Sequence, residues 1–302
     1  MSAGGPIAVS YIIPTLAGLD RADRLARAID SVATQVGVRA LPIVVVNGPN
    51  PAPPVLERLE RDPRIRVERL MEADLPGAIR RGRAVVDTPY FGALDDDDFL
   101  LPGALKLRVD CLEADRDAEV VVTNGLRQRN GVDVVHWNDA SAIRADPLRT
   151  LLRKNWFLPG SWLCRTDPSN LEIFERMPRY LECTYLAVHF SLRARIRFLE
   201  TPTVVWIEAG GLSASVPYHV GQPAALEQIL DAPLPADVRR GLERHLTMAY
   251  HTLADFHRFR GELRPAWRAH LASLRYPSGV RFLLATRHLV AAGLRQWLIS
   301  RR

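Results

Sequence analysis

The apolar positions of the first hundred residues follow two different periods. Short runs rich in β-branched residues, at 7–13, 43–46, 65–70 and 90–94, read as strands. Pro14 is expected to end the first of them. Between them, 20–36, 53–61 and 76–86 repeat at helical spacing; in the first, Leu25, Ala28, Ile29, Val32 and Ala33 share a face behind Asp20, the expected N-cap. The order is β-α-β-α-β-α-β. It predicts an α/β fold with a mostly parallel sheet covered by helices and joined by right-handed crossovers. Ligands of such sheets bind beyond the carboxyl ends of the strands. Those ends read Pro14-Thr15, Asn47-Gly48 and Asp95-Asp96-Asp97-Asp98.

After residue 100 the pattern is mixed. A helix is expected over 102–111. Strands are expected at 120–123 and 132–136 around a turn at Asn130-Gly131, with further strands at 160–165 and 203–207 and a helix over 182–194. From Pro235 the periodicity predicts three helices, 236–259, 262–275 and 279–299. In the last, Phe282, Leu283, Leu289, Val290, Leu294 and Trp297 fall on one arc, with Arg281, His288 and Arg295 opposite and Arg301 and Arg302 following. This suits either an interfacial helix on an anionic membrane or a helix packed on the rest of the chain or on a second subunit.

Composition narrows the class. Of 302 residues, 47% are hydrophobic and 25% charged, which excludes a disordered or collagen-like chain. No uncharged apolar run reaches the length of a membrane span, and no basic segment precedes the first apolar run, so no cleaved signal peptide is expected. Cys111, Cys164 and Cys183 are too few and too dispersed for a disulfide framework or a zinc ribbon, which favours a reducing, cytoplasmic setting. Charge is uneven. Residues 239–302 hold 13 Arg against 3 Asp or Glu, a balance of +10, so the first 238 residues carry −4 of the +6 total. The acidic remainder of the chain opposes nucleic-acid binding, while the basic end suits an anionic membrane surface.

Four consecutive aspartates after a buried strand repel one another, and a divalent cation relieves that repulsion; hard oxygen ligands suit Mg²⁺ or Mn²⁺. A solvated acidic loop is the alternative. No G-x-G-x-x-G follows the first strand and no Walker A motif is present, which argues against a dinucleotide-dependent dehydrogenase and a P-loop NTPase. His245, His251 and His257 recur every six residues, about 240° of rotation, so they read as surface or packing residues rather than a metal pair. Trp156, Trp162 and Trp206 suit the core, or one of them a stack on a ligand.

The segment Val9-Ser10-Tyr11-Ile12-Ile13-Pro14-Thr15, the helix carrying Ala28-Ile29-Asp30-Ser31-Val32 and Gln35, and the strand 43–46 resemble the start of a family-2 glycosyltransferase. So do Gly77, Arg80-Arg81-Gly82 and Leu94-Asp95-Asp96-Asp97-Asp98 before Leu101-Pro102-Gly103-Ala104-Leu105. The resemblance is specific over 7–110, weaker over 155–215 and absent over 220–302. It implies a GT-A (nucleotide-diphospho-sugar transferase, Rossmann-like) catalytic domain over 1–218. Residues 1–110 would form its nucleotide-sugar-binding half and 111–218 its acceptor half. A basic helical extension would occupy 219–302.

The implied activity is metal-dependent, inverting transfer of a sugar from a nucleotide-diphosphate donor, UDP-sugar favoured, to a hydroxyl of a glycan or lipid-linked glycan. The resemblance implies Asp95 and Asp97 as metal ligands, Asp95 or Asp96 at the ribose, and Asp98 behind them. Pro14 and Thr15 would line the base and ribose pocket, and Gly77 and Arg81 would lie near the nucleotide. Asn47 stands where the family has paired aspartates, so it supplies both donor and acceptor groups to the base.

Glu182 is the implied general base. Cys183 stands beside it where the family has Asp, and His189 is the alternative base. Other readings stay open for each. Gly77 and Arg81 suit a helix start and a surface arginine, Asn47 a turn before Gly48, and Glu182 a helix-dipole partner. For the whole chain the alternatives are a nucleotide-sugar-binding protein without turnover, a scaffold docking through the basic end, and a sugar nucleotidyltransferase. The last would need a Gly-rich pyrophosphate loop, and Pro14-Thr15-Leu16-Ala17-Gly18 supplies one Gly.

Overall fold

A computed structural model describes residues 8–166, 171–208 and 215–299. The chain forms two compact units, residues 1–209 and 210–302; residue 218, the expected boundary, lies within a helix of the second.

The first unit begins β1 (Val9–Thr15), α1 (Ala22–Ala33), β2 (Ala40–Asn47), α2 (Pro53–Arg61), β3 (Arg66–Leu70), α3 (Leu75–Arg83) and β4 (Tyr90–Ala93). It continues β5 (Phe99–Leu100), α4 (Ala104–Ala114), β6 (Val120–Arg129), β7 (Val132–Val135), α5 (Ala140–Ala145), α6 (Pro147–Leu151), β8 (Trp162–Arg165), α7 (Leu171–Glu175), α8 (Glu182–Arg193) and β9 (Ile196–Ile207). Among the described residues these strands form one sheet ordered β3-β2-β1-β4-β8-β6-β9-β5, with β7 paired to β6. The first four strands are parallel, β8 is antiparallel to both its neighbours, and β6 and β9 are parallel. Strand order reverses between β1 and β4, which opens the crevice where such sheets take ligands.

All of β1 is buried. Val9, Tyr11 and Ile13 join α1, α2 and α4 in one apolar cluster, while Ile12 and Val45 meet Gly82 of α3 on the other face. A Cβ on Gly82 would stand 2.5 Å from Ile12, so this helix can approach the sheet closely only with Gly at that position. Arg108 of α4 is wholly buried and, among the described residues, has no carboxylate partner. It donates to Tyr11 Oη (2.6 Å) and Thr203 Oγ1 (2.5 Å), and Tyr11 donates to the Gly160 carbonyl (2.8 Å). This network ties the start of the sheet to its second half.

Several expectations change. β1 runs through Pro14: Ile12 accepts from Leu94, so Pro14 faces the same side just beyond the end of β4, where no N–H is needed. Ile7 lies outside the described residues. Asp20 is not a cap; it sits in a 3₁₀ turn, Leu19–Arg21, and Arg21 occupies the position before α1. Trp156 and Trp162 are buried in an aromatic cluster, whereas Trp206 is half-buried with the Arg127 guanidinium 5.2 Å from its ring centroid.

The second unit contains α9 (Val216–Leu230), α10 (Ala236–Phe259), α11 (Leu263–Ser273) and α12 (Thr286–Ile299). The expected final helix divides: Pro277–Ala285 is 3₁₀, and the α-helix starts at Thr286. Three residues per turn shift Phe282 and Leu283 out of phase with Leu289 and Leu294, which breaks the single arc. Leu289 is buried and Phe282 stacks on His251, its ring centroid 3.9 Å away. The side chain of Trp297, and Arg301 and Arg302, lie outside the described residues.

Candidate active site

The ends of β1 and β4 meet at the reversal of strand order. Thr15 closes β1, is 3% exposed, and donates its hydroxyl to Asp96 Oδ2 at 2.7 Å. Thr15 Oγ1 in turn accepts from the Ala17 N–H at 3.0 Å, and Ala17 has φ +52°. Pro14 beside it is buried. After β4 the acidic turn folds back on itself, with the Asp98 N–H donating to the Asp95 carbonyl at 3.2 Å. Asp98 is fully buried. Its Oδ1 accepts from the Ile207 N–H at the end of β9 (2.9 Å), and among the described residues its Oδ2 has no partner.

Carboxylate oxygens of Asp95, Asp97 and Asp98 lie within 4.8 Å of one another. Burial, then the charges of Asp97, Asp96 and Glu182, push Asp95 up to about 7; burial also raises Asp96 and Asp98. An orphaned buried carboxylate oxygen among convergent hard ligands fits a divalent cation such as Mg²⁺ or Mn²⁺. Asp98, expected behind the ligands, supplies the orphan.

Arg21 reaches into the same turn. Its Nη1 lies 3.1 Å from Asp96 Oδ1, and its Nη2 pairs with Asp97 Oδ2. Sequence reasoning missed this residue because its partners stand some 75 positions away. The available signal was its place just after β1, opposite an acidic turn.

Glu182 opens α8. Tyr180 and Leu181 before it have φ of +72° and +58°, left-handed conformations that cost non-glycine residues roughly 1–3 kcal/mol each. This bend lets Glu182 Oε1 accept from the Tyr180 N–H at 2.8 Å. Burial raises the Glu182 carboxyl, and its charge acts on Asp95. The Cys183 thiol is pushed well up by burial, then by Asp95, Glu182 and Asp98. It therefore remains a neutral thiol at physiological pH and is no base. His189 is buried against Tyr185 with both ring nitrogens unpartnered. Burial lowers it to about 4, and the charges that reach it belong to Arg193 and Glu172.

The other expected residues cluster around α3. Asn47, 5% exposed, ends β2 and directs Nδ2 at the Asp74 carbonyl (3.4 Å). Asp74 caps α3 by accepting from the Gly77 N–H at 3.0 Å, and a Cβ on Gly77 would stand 2.3 Å from that carboxylate. Gly77 thus has a local reason to be glycine. Arg81 is exposed and pairs with Glu68 of β3 at 2.7 Å.

The family model for glycosyl transferase family 2 matches residues 10–166, which span β1 to β8 and the whole acidic turn. A comparison with curated proteins finds no match. Among solved structures the chain is similar to S. aureus TarS 1–349 in complex with UDP-GlcNAc, with a TM-score of 0.58 and 13% identity over 88% of this chain and 82% of that one. It is similar to TarS 1–349 in complex with UDP, at 0.55 and 14% over 85% and 75%. It is also similar to S. aureus TarS, at 0.59 and 15% over 96% of this chain and 54% of that one. At such identities the structures show a shared fold, that of a GT-A glycosyltransferase. With more than half its length matched by the family model, this chain is a glycosyltransferase and belongs to family 2.

Proposed function

We propose that the chain transfers a sugar from a UDP-sugar to an acceptor hydroxyl of a glycan or lipid-linked glycan, with inversion at the anomeric carbon. The observation that carries this reading is the convergence of the Asp95, Asp97 and Asp98 carboxylates beyond the β1–β4 reversal, with the half-buried Glu182 at the start of α8 near enough for its charge to raise Asp95. Glu182 takes the acceptor O–H proton, the acceptor oxygen bonds to the anomeric carbon, and the bond to the diphosphate oxygen breaks. Asp95, Asp97 and Asp98 would hold the divalent cation, which supplies positive charge for the departing diphosphate. Pro14, Thr15 and Asn47 would line the base and ribose site, with Asp96 fixed by Thr15. The UDP and UDP-GlcNAc complexes of the similar folds support the choice of donor class.

Thermal shift and slow donor hydrolysis with Mn²⁺ and a panel of nucleotide sugars test this. A UDP-sugar shift lost in Asp97→Ala, with hydrolysis lost in Glu182→Gln, is expected. No shift with any donor and metal would overturn the reading. Binding without transfer to any glycan or lipid-linked acceptor would favour the second reading, a nucleotide-sugar binder, to which the neutral Cys183 thiol points.

The second unit suits docking on an anionic membrane. Among the described residues no helix is long and apolar enough to cross one. Yet Leu283, Leu284, Val290, Leu294 and Leu298 are all exposed beside exposed Arg281, Arg287 and Arg295.

A further inference from the structure

The acidic turn already contains a cation of its own, and that cation is part of the chain. Arg21 sits at the end of the 3₁₀ turn Leu19–Arg21, six positions after Thr15, on the connection leading from the β1 end to α1. Its guanidinium forks between two successive carboxylates, Asp96 and Asp97, with a third, Asp95, close enough to act on it. The side chain is about one-third exposed, so it can move without dismantling a core.

The two carboxylates differ in what else they hold. Asp96 is 5% exposed and keeps the Thr15 hydroxyl whether Arg21 stays or leaves. Among the described side chains, Asp97 has Arg21 as its one ion-pair partner, and it also belongs to the group of oxygens that converge with Asp95 and Asp98. A guanidinium and a divalent cation therefore draw on the same carboxylate. Two cations a few ångströms apart repel strongly in a half-buried site. Only one can have full use of Asp97.

We infer that Arg21 is a resident counter-cation of the acidic turn, which yields Asp97 to the divalent cation and moves its guanidinium onto the diphosphate of the donor. The inference rests on the reading of Asp95, Asp97 and Asp98 as a cation site. Its chemistry is that of a planar fork that fits two oxygens of a carboxylate pair or of a phosphate equally well. In the free protein Arg21 suppresses repulsion among the aspartates. With donor present, the same positive charge compensates the diphosphate. The arrangement couples the two ligands: metal alone must displace Arg21, whereas metal with nucleoside diphosphate gives Arg21 a new partner.

Calorimetric titration of the whole chain with Mn²⁺ alone, and with UDP at saturating Mn²⁺, separates the outcomes. Arg21→Ala is expected to bind Mn²⁺ alone about tenfold more tightly than the parent and UDP about tenfold more weakly, since each change removes one charge interaction at close range. Arg21→Lys keeps the charge without the fork and is expected to fall between. Arg129→Ala, an equal charge change on the exposed end of β6, is expected to alter neither affinity. Far-ultraviolet circular dichroism of each variant confirms that it is folded. If Asp97→Asn abolishes Mn²⁺ binding while Arg21→Ala leaves Mn²⁺ affinity unchanged or weaker, the role of Arg21 is overturned and the cation site stands. If the parent binds no Mn²⁺ with or without UDP, the cation site itself is overturned, and the role of Arg21 with it.

Discussion

Thr15 and Asp96, 81 positions apart, join the end of β1 to the acidic turn through a buried 2.7 Å hydrogen bond. Asp96 is raised by burial and held down by this hydroxyl and by Arg21, so the bond makes a buried carboxylate tolerable. Thr15→Val keeps the shape and removes the donor. It is expected to cost about 1.5–3 kcal/mol of stability, the worth of a hydrogen bond to a charged group. UDP binding should weaken in parallel, because the turn loses its anchor. Chemical denaturation and UDP titration check both, and Thr15→Ser should restore most of each.

Glu182 should set the acid limb of the pH–rate profile. A base works deprotonated, and burial raises its carboxyl, so kcat/KM should fall with decreasing pH at a point above the ordinary carboxylate range. Glu182→Gln should lower kcat about 10²–10⁴-fold, the usual contribution of a general base, while UDP still binds. Cys183→Ser should leave the limb in place, since the thiol is neutral throughout that range. A limb that moves with Cys183→Ser would instead make the thiol a titrating partner of the base.

The first hundred residues were legible because their strands are short apolar runs separated by clean helical faces. The α2 boundaries agree with the periodicity to the residue. The rest of the first unit was harder to read because β9 interrupts its apolar positions with Glu200, Thr201 and Pro202, where its pairing with β6 shifts register. α5 and α6 are too short to show a period, and α9 carries Pro217 and Pro223, which read as breakers. A nine-residue segment cannot distinguish three residues per turn from 3.6, so the last helix was drawn too long. At the candidate site, sequence reading singled out the acidic turn and Glu182, but not Arg21. An arginine between Asp20 and Asp23 has no local pattern that announces partners across the sheet.

Gly77 can be tested for the two reasons it has to be glycine. A Cβ there meets the Asp74 carboxylate, so Gly77→Ala should displace the cap of α3 and cost about 0.5–2 kcal/mol. Asp74→Ala removes the obstruction together with the cap. If Gly77 serves only the cap, adding Gly77→Ala to Asp74→Ala should change neither stability nor UDP affinity further. If its bare backbone also approaches the nucleotide, UDP binding should weaken in the double variant beyond Asp74→Ala alone. Arg81→Ala is the companion test. Loss of the Glu68 pair at this exposed position should cost about 0–1 kcal/mol. A drop in UDP affinity would show that Arg81 also serves the donor.

His136 and His189 are buried, and burial lowers both to about 4. The unfolded imidazole titrates near 6.5. Between those values the unfolded chain binds more protons, so this contribution is complete above about pH 6.5 and is lost as pH falls towards about 4. The raised aspartates of the acidic turn act in the opposite sense, losing stability as pH rises. The informative quantity is therefore the difference between parent and His189→Phe, which fills the same space against Tyr185 without a titrating ring. The gap in Tm should move in favour of the variant as pH drops from 7 to 5. A gap independent of pH would mean that His189 binds its proton equally well in the folded and the unfolded chain.

The exposed face of the second unit makes a prediction that separates a bilayer from a second copy of the chain. Leu284 is 73% exposed and Leu294 59%, and arginines stand beside both. Docking on anionic lipid needs the two features together: apolar side chains to enter the headgroup boundary and positive charge to hold the surface. Co-sedimentation with phosphatidylglycerol vesicles should succeed at low salt and weaken as salt rises, whereas phosphatidylcholine vesicles should capture little protein. Leu284→Ser with Leu294→Ser should abolish sedimentation. Arg287→Gln with Arg295→Gln should weaken it on anionic vesicles alone. A self-association face behaves differently: sedimentation velocity would then show a concentration-dependent dimer lost in the leucine variant, with no vesicle binding at any salt. That result would assign the face to a partner subunit and remove the membrane from the proposal. Vesicle binding by a monomer, reversed by salt, would assign the face to a lipid surface and support a lipid-linked acceptor for the proposed transfer.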